Sequence, residues 1–254
     1  MFPLADCNLR QFWERNFPHP KGTNTAIYSP WVAKQLYGLV WALWKLHDRQ
    51  DRNVHSLKAE DNNSNTLYGT HFNIKPENFL WYKEWAGANE AQASLDSVAP
   101  EGGQLERDSN SNSPFGILQL SDFGNTKLHH REAKKGSDHS IRRSTKSYAA
   151  PEVEWAAYGD SRRFDIWGLG CVYLEFICWL VQGGLGNTDP VELFQRARYL
   201  QGANKSMDGT IQDTFYHMVK GKDTTKFELN PAVKEVWRAI QPPIPQKTRM
   251  NWNC

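Results

Sequence analysis

His71 to Leu80, HFNIKPENFL, is the stretch on which the reading of this chain turns. It lies between two hydrophobic segments of helical character and ahead of Ser121-Asp122-Phe123-Gly124. Two further runs follow in order, Ala150-Pro151-Glu152 and then Ser161 to Gly170, SRRFDIWGLG. Taken singly, each is weak. Asp-Phe-Gly is a common turn tripeptide in which glycine tolerates positive φ, and Lys-Pro-Glu-Asn suits an ordinary loop leading into a helix start. Their order along one chain says more than any one of them.

The ordered set resembles the catalytic half of a protein kinase. That family runs from a His-Arg-Asp loop, with an asparagine five residues after the aspartate, through Asp-Phe-Gly to Ala-Pro-Glu. His71, Lys75 and Asn78, then Asp122-Phe123-Gly124, then Ala150-Pro151-Glu152 stand in the same order here. The resemblance implies an α+β fold, mainly α: a large C-terminal lobe with a short β hairpin carrying the catalytic loop and Asp-Phe-Gly. It implies ATP and Mg²⁺ as cofactors, with Asn78 and Asp122 as metal ligands. A carboxylate and an amide oxygen suit this hard cation, which takes oxygen ligands and keeps several waters. Lys75, two residues after the base position, would approach the transferred phosphate as a point charge, and Leu80 matches the residue beneath the adenine. Thr145 matches the threonine that helps hold a substrate hydroxyl near the catalytic loop. Lys75 and Thr145 together imply Ser/Thr rather than Tyr specificity. Asp165 is implied to hydrogen-bond the catalytic-loop backbone. Glu152 is expected to be buried against a basic group from the C-terminal region, with Arg238 and Arg249 as candidates.

Two departures bear on the chemistry. The catalytic base position holds Asn73, which keeps the shape of aspartate but has no ionisable carboxylate to accept a substrate proton. General-base help is worth roughly 10²–10⁴ in rate, or ~3–5 kcal/mol of barrier. Phe2-Pro3-Leu4-Ala5-Asp6 and Asn8 to Trp13 resemble the hinge and following helix of a group of fungal kinase-like domains. The family's small lobe, with its Gly-rich loop and strand lysine, would precede this point and is not among these 254 residues. Two functional expectations follow. One is a protein Ser/Thr kinase-like domain with impaired transfer. The alternative is a pseudokinase whose lobe is a protein-interaction scaffold. Phe72 also replaces the family arginine that pairs with an activation-segment phosphate through its guanidinium, so phosphorylation at Ser137, Ser140, Ser144 or Ser147 would order that segment weakly.

Composition narrows the remaining classes. The net charge of +2 is too small to argue for nucleic acid, and the one locally basic stretch, His129 to Arg143, falls inside the activation segment and reads as a solvated loop. Cys7, Cys171, Cys178 and Cys254 show no CxxC spacing. Cys171 and Cys178 are expected to pack as small apolar residues, and reduced thiols suit the cytoplasm or nucleus. The N-terminus has no charged-then-apolar signal layout. Ile166 to Gln182 is apolar but contains Glu175, and a helix buried among other helices explains it better than a membrane span. The expected partner is a protein, as substrate or interaction partner, with no nucleic acid and no membrane.

One domain over 1–254 is expected. Ser29-Pro30 opens a helix with serine as N-cap, and Val32, Leu36, Leu39, Val40, Leu43 and Leu46 give it one buried face. Trp31, Trp41 and Trp44 add aromatic bulk. His47 to Leu67 reads as an insertion. Phe79–Tyr82 and Phe115–Leu120 are β-prone and form the hairpin, while 84–114 between them is expected to be a disordered, dispensable insert. Helices are expected from about Ser161 to Gln182 and over Pro190–Leu200, Thr210–Val219 and Pro231–Ile240. Residues 242–254 are expected to form a tail.

Overall fold

The computed structural model describes residues 4–16, 23–48, 67–84, 115–130, 146–154, 162–182, 188–201, 213–220 and 225–240. Within them the chain is mixed α and β, mostly helical, with small antiparallel sheets. The expected insert, the tail, most of the His47–Leu67 insertion and Thr145 lie outside the described residues.

β1 (Cys7–Asn8) leads into α1 (Leu9–Arg15). Asn8 caps α1 through a capping box: its side chain accepts from the Gln11 N–H at 2.9 Å, and the Gln11 side chain accepts from the Asn8 N–H at 3.1 Å. This satisfies two of the donors that a helix start leaves unpaired. β3 (Phe79–Tyr82) and β4 (Ile117–Leu120) form the expected hairpin, with Phe79 opposite Leu120 and Tyr82 opposite Ile117. β1 adds a third strand at its edge, pairing Asn8 with Leu80. Gly116, just before β4, sits at φ +71, and a Cβ there would come within 2.1 Å of the Tyr82 carbonyl. Only glycine fits.

α2 (Thr23–His47) starts upstream of the expected Ser29 cap and runs through Pro30. A proline inside a helix costs about 3 kcal/mol. Packing offsets it: Tyr28 lies 4.5 Å from the Phe115 ring and 5.2 Å from Trp179, and Thr25 Oγ1 donates to the Leu180 carbonyl. Val32, Leu39 and Leu43 are buried, and Leu36 and Leu46 are partly so. Val40 departs from expectation and is 47% exposed. Trp31 is buried, and its Nε1 donates to the Gly116 carbonyl at 2.7 Å, while Gln35 Oε1 accepts from the Leu118 N–H at 2.8 Å. Thus α2 holds the hairpin through side chains as well as through apolar contact. Trp44 is half-exposed, with the Lys45 ammonium 5.0 Å from its ring.

α3 (Arg162–Val181) is the central helix, packed against α2 and against α4 (Pro190–Gln201). It is long and apolar enough to cross a membrane by length and composition, and more than half of its apolar window is buried inside the fold. Trp179 and Phe176 of α3 meet Phe12, Trp13 and Trp31 with ring centroids 5.4–5.8 Å apart. That is the tilted and edge-on spacing aromatic pairs favour. Cys171 and Cys178 are free and buried in this layer, as expected, and burial pushes the Cys178 thiol up to about 12.

Beyond α4, residues 213–219, the described part of the expected helix over Thr210–Val219, are not helical. β6 (Tyr216–Lys220) instead pairs with β7 (Thr225–Leu229), Tyr216 opposite Leu229. Phe215 and Tyr216 are buried, and the Tyr216 and Phe227 rings pack edge-on at 5.5 Å. Such aromatic cross-strand pairs stabilise a sheet where a helix would splay them. Buried Asn230 closes the hairpin by donating to the Arg198 and Thr214 carbonyls, and it caps α5 (Pro231–Ile240) by accepting from the Ala232 N–H. β2 (Leu67–Thr70) and β5 (Lys127–His130) form one further antiparallel pair, Thr70 opposite Lys127.

Candidate functional site

The geometry begins at the first turn of α3. Asp165 is 1% exposed, and its two oxygens accept the N–H groups of His71 and Phe72, each at 2.8 Å. His47, in the last turn of α2, approaches the same carboxylate through Nε2 at 2.9 Å. A buried carboxylate needs such donors, and these fix the loop backbone. Gly168, one turn along α3, lets the loop close on the helix: a Cβ there would sit 3.0 Å from Ile74 Cβ. Asp165 and Gly168 share one helix face by their spacing of three.

The loop is held in an uncommon conformation. Phe72 has φ 62 and Asp122 has φ 59, the only non-glycine residues in the left-handed region among those described. Such residues cost about 1–3 kcal/mol each and persist only when their surroundings over-determine them. For Phe72 the surroundings are the Asp165 carboxylate and a buried ring 6.4 Å from Phe164.

His71 is fully buried; its Nε2 lies 2.8 Å from the Ser121 carbonyl, and its Nδ1 accepts the Asn73 N–H at 3.3 Å. An accepting Nδ1 requires the tautomer with hydrogen on Nε2, which donates to Ser121. His71 therefore staples the loop to the residue before Asp122. Asn78 completes the closure, because its carbonyl accepts both the Ser121 N–H at 2.9 Å and the Ser121 hydroxyl at 2.8 Å.

Asn73 is the hub. Its Nδ2 donates to Asp122 Oδ2 at 3.2 Å, and its carbonyl accepts Asn78 Nδ2 at 2.8 Å. With that amide nitrogen committed to the Asn73 carbonyl, the Asn78 side-chain oxygen points away from it. Asn73, Asn78 and Asp122 are thus together, although 49 residues separate Asn73 from Asp122 in sequence. Asp122 itself is exposed beside the exposed Phe123, whose ring packs edge-on against His71 at 5.2 Å. Lys75 lies two residues from Asn73 in extended backbone, half-buried, ahead of the Pro76–Asn78 turn. Leu80 is half-buried on β3 between Asn8 and Gln119. Among the described residues no group of three or more His, Cys, Asp and Glu side chains could hold a metal. A cation here would rest on Asp122 and the Asn78 oxygen, with the remaining ligands from water and phosphate. That donor set fits Mg²⁺, which takes few protein ligands and keeps its waters.

The expectation for Glu152 does not hold among the described residues. Glu152 is half-buried, its Oε2 has no hydrogen-bond partner there, and Arg238 is exposed; Arg249 lies outside the described residues. The buried carboxylate with a basic partner is Glu175 of α3. Its Oε1 accepts from Arg198 Nη2 at 2.9 Å, both side chains being fully buried, and its Oε2 accepts from the Tyr148 hydroxyl at 2.8 Å. Arg10 Nη2 donates to the Tyr148 oxygen at 2.6 Å and reaches Glu175 at 3.5 Å, while Arg10 Nε lies 3.5 Å from Glu77 in the Pro76–Asn78 turn. Burial alone would lower the Arg10 pKa, but the Glu175 carboxylate, with Tyr148 and Glu77, more than offsets it and the net shift is upward. The Arg198 guanidinium lies against the Phe194 and Phe215 rings, 4.4 and 4.0 Å from their centroids. Ser147 donates to Asp213 and Tyr148 beside it donates to Glu175, so the Lys146–Tyr148 turn is tied to α3 and to the stretch before β6. A glutamate inside the apolar 162–181 run was the sequence signal for this network, and the polar run around Arg198 gave none. No protein-family model matches this sequence, and no curated protein matches it.

Proposed function

We propose that this chain is the large lobe of a protein Ser/Thr kinase-like domain, weakened at its base position by Asn73. The observation that carries the reading is the double grip of Asp165 on the His71 and Phe72 N–H groups, at 2.8 Å each, in the same place where Asn73 meets Asp122. Three motifs that are far apart in sequence, the His71–Asn78 loop, Asp122-Phe123-Gly124 and the start of α3 at Asp165, meet there, which supports a reaction that works by positioning. That reaction leaves little covalent work for the protein and depends on positioning and charge stabilisation. Asp122 and Asn78 supply oxygen donors for Mg²⁺, which when bound neutralises phosphate charge. Lys75 stands on the same loop as a point charge for the transferred phosphate. Leu80 on β3 offers an apolar surface to the adenine of ATP, and Thr145 helps hold a substrate hydroxyl. Asn73 orients that hydroxyl as a hydrogen-bond partner and cannot take its proton. The protein partner is a substrate carrying Ser or Thr, in the cytoplasm or nucleus.

The second reading is a pseudokinase scaffold, favoured by the amide at position 73. Phosphate transfer from radiolabelled ATP to Ser/Thr peptides separates the two. The 254-residue chain is expected to show no measurable transfer, and Asn73→Asp alone does not rescue it. When a Gly-rich-loop lobe is joined upstream, Asn73→Asp raises the rate by roughly 10²-fold or more. No gain from that substitution in the joined protein overturns the kinase reading. Robust transfer by the unmodified chain, abolished by Asp122→Ala, overturns the claim of impairment.

A further inference from the structure

Asn73 does more than lack a carboxylate. Its amide nitrogen donates to Asp122 Oδ2 at 3.2 Å while its own backbone carbonyl anchors the Asn78 amide at 2.8 Å. One residue therefore touches both residues that the preceding reading gives to Mg²⁺, at Asp122 an oxygen and at Asn78 the amide nitrogen. We propose that the Asn73 amide takes at Asp122 the place a divalent cation would hold, so that the site binds Mg²⁺ weakly. The proposal rests on the reading of Asn78 and Asp122 as the metal donors.

The physical argument is one of sign. An aspartate at position 73 would bring a second carboxylate to the place now held by Nδ2, and two like charges so close repel unless a cation lies between them. An amide N–H in that place attracts the Asp122 carboxylate instead. It satisfies one of its oxygens and holds its side chain on a backbone that is itself in the left-handed region at φ 59. The Asp122 carboxylate is exposed, so no buried-charge penalty forces a metal into the site. What remains for a cation is the second Asp122 oxygen and the Asn78 oxygen, fewer charges than a two-carboxylate site offers, and cation affinity follows ligand charge.

The test is thermal unfolding of the 254-residue chain in chelator and in Mg²⁺ alone, with Asn73→Asp, Asn73→Ala and the double substitution Asn73→Asp with Asp122→Asn. The unmodified chain is expected to keep the same midpoint with and without Mg²⁺. Asn73→Asp unfolds earlier in chelator and recovers with Mg²⁺, with an apparent affinity at least about tenfold tighter than the unmodified chain. Adding Asp122→Asn removes that response. Asn73→Ala removes the donor without adding charge, so it too uncovers a Mg²⁺ response, and it serves where Asn73→Asp does not fold. An equal Mg²⁺ response from the unmodified chain and from both single substitutions overturns the proposal and leaves Asn78 and Asp122 as metal donors. No response from any variant overturns that underlying reading and the proposal with it.

Discussion

The two ends of α3 each bury a carboxylate, and they use it differently. Asp165 in the first turn accepts from two backbone N–H groups of one short loop. Glu175, ten residues on and so about 15 Å along the helix, accepts from the side chains of Tyr148 and Arg198 and lies near Arg10, which come from three other parts of the chain. The Asp165 end sets the conformation of one segment, including Phe72 in the left-handed region. The Glu175 end ties α1, the Lys146–Tyr148 turn, α3 and α4 into one body. A backbone grip shapes a site, and a side-chain network holds elements together.

The largest expected effect tests the second half of that contrast. Arg198→Met leaves the Glu175 carboxylate buried without its full charge partner and should cost about 3–5 kcal/mol in denaturant unfolding. Adding Glu175→Gln should recover much of the loss, because replacing both partners of a buried pair is far milder than removing one. A cost under about 1 kcal/mol for Arg198→Met would mean that the network does not hold the fold.

A smaller loss is expected at the other end. Asp165→Asn keeps one acceptor oxygen and turns an N–H toward the second loop donor, so global stability should fall by about 2–3 kcal/mol. Amide exchange at His71, Phe72 and Asn73 should accelerate more than exchange in α4. Uniform acceleration throughout the molecule would erase the distinction between a shaping and a tying carboxylate.

The smallest effect is a pH dependence confined to the Glu175 end. Burial, and then the neighbouring Glu175 carboxylate, push the Tyr148 hydroxyl well above its usual range and the Cys178 thiol from 9.0 to about 12. Both acids hold their protons more tightly folded than unfolded. The Cys178 contribution is complete below pH 9 and declines as the pH rises through the window from 9.0 toward 12, and the Tyr148 contribution declines only above its usual value of 10.0. The loss from Cys178 alone is about 1 kcal/mol near pH ~10. Denaturant midpoints from neutral to alkaline pH measure it. A Cys178→Ala variant should lose that part of the slope, and an unchanged slope would assign the decline to another group.

Much of the fold is legible in the sequence because the determining interactions are local. The β-propensity of Phe79–Tyr82 and the apolar character of 162–181 are each set by residues within a few positions, although the strand finds its partners far along the chain. The expectation of a helix over Thr210–Val219 fails because the deciding contacts are not local. Phe215 is buried near Tyr148 and Phe194, and Tyr216 meets Phe227 across a hairpin whose second strand is separate in sequence. Pro30 misleads as a helix start for the same reason. The aromatic packing of Tyr28 that carries the helix through it comes from Phe115 and Trp179.

The candidate site divides in the same way. The sequence by itself determined which chemical groups are present and in what order: His71, Asn73, Lys75, Asn78, Asp122 and Asp165, with an amide where a base would stand. Only the tertiary structure decided that the Asn73 amide donates to Asp122, and that Glu175 takes a buried arginine. The physical reason is that a buried charge takes whichever partner the packed elements bring within reach. Partners that are 23 and 165 residues away, as Arg198 and Arg10 are from Glu175, leave no periodic trace in the sequence.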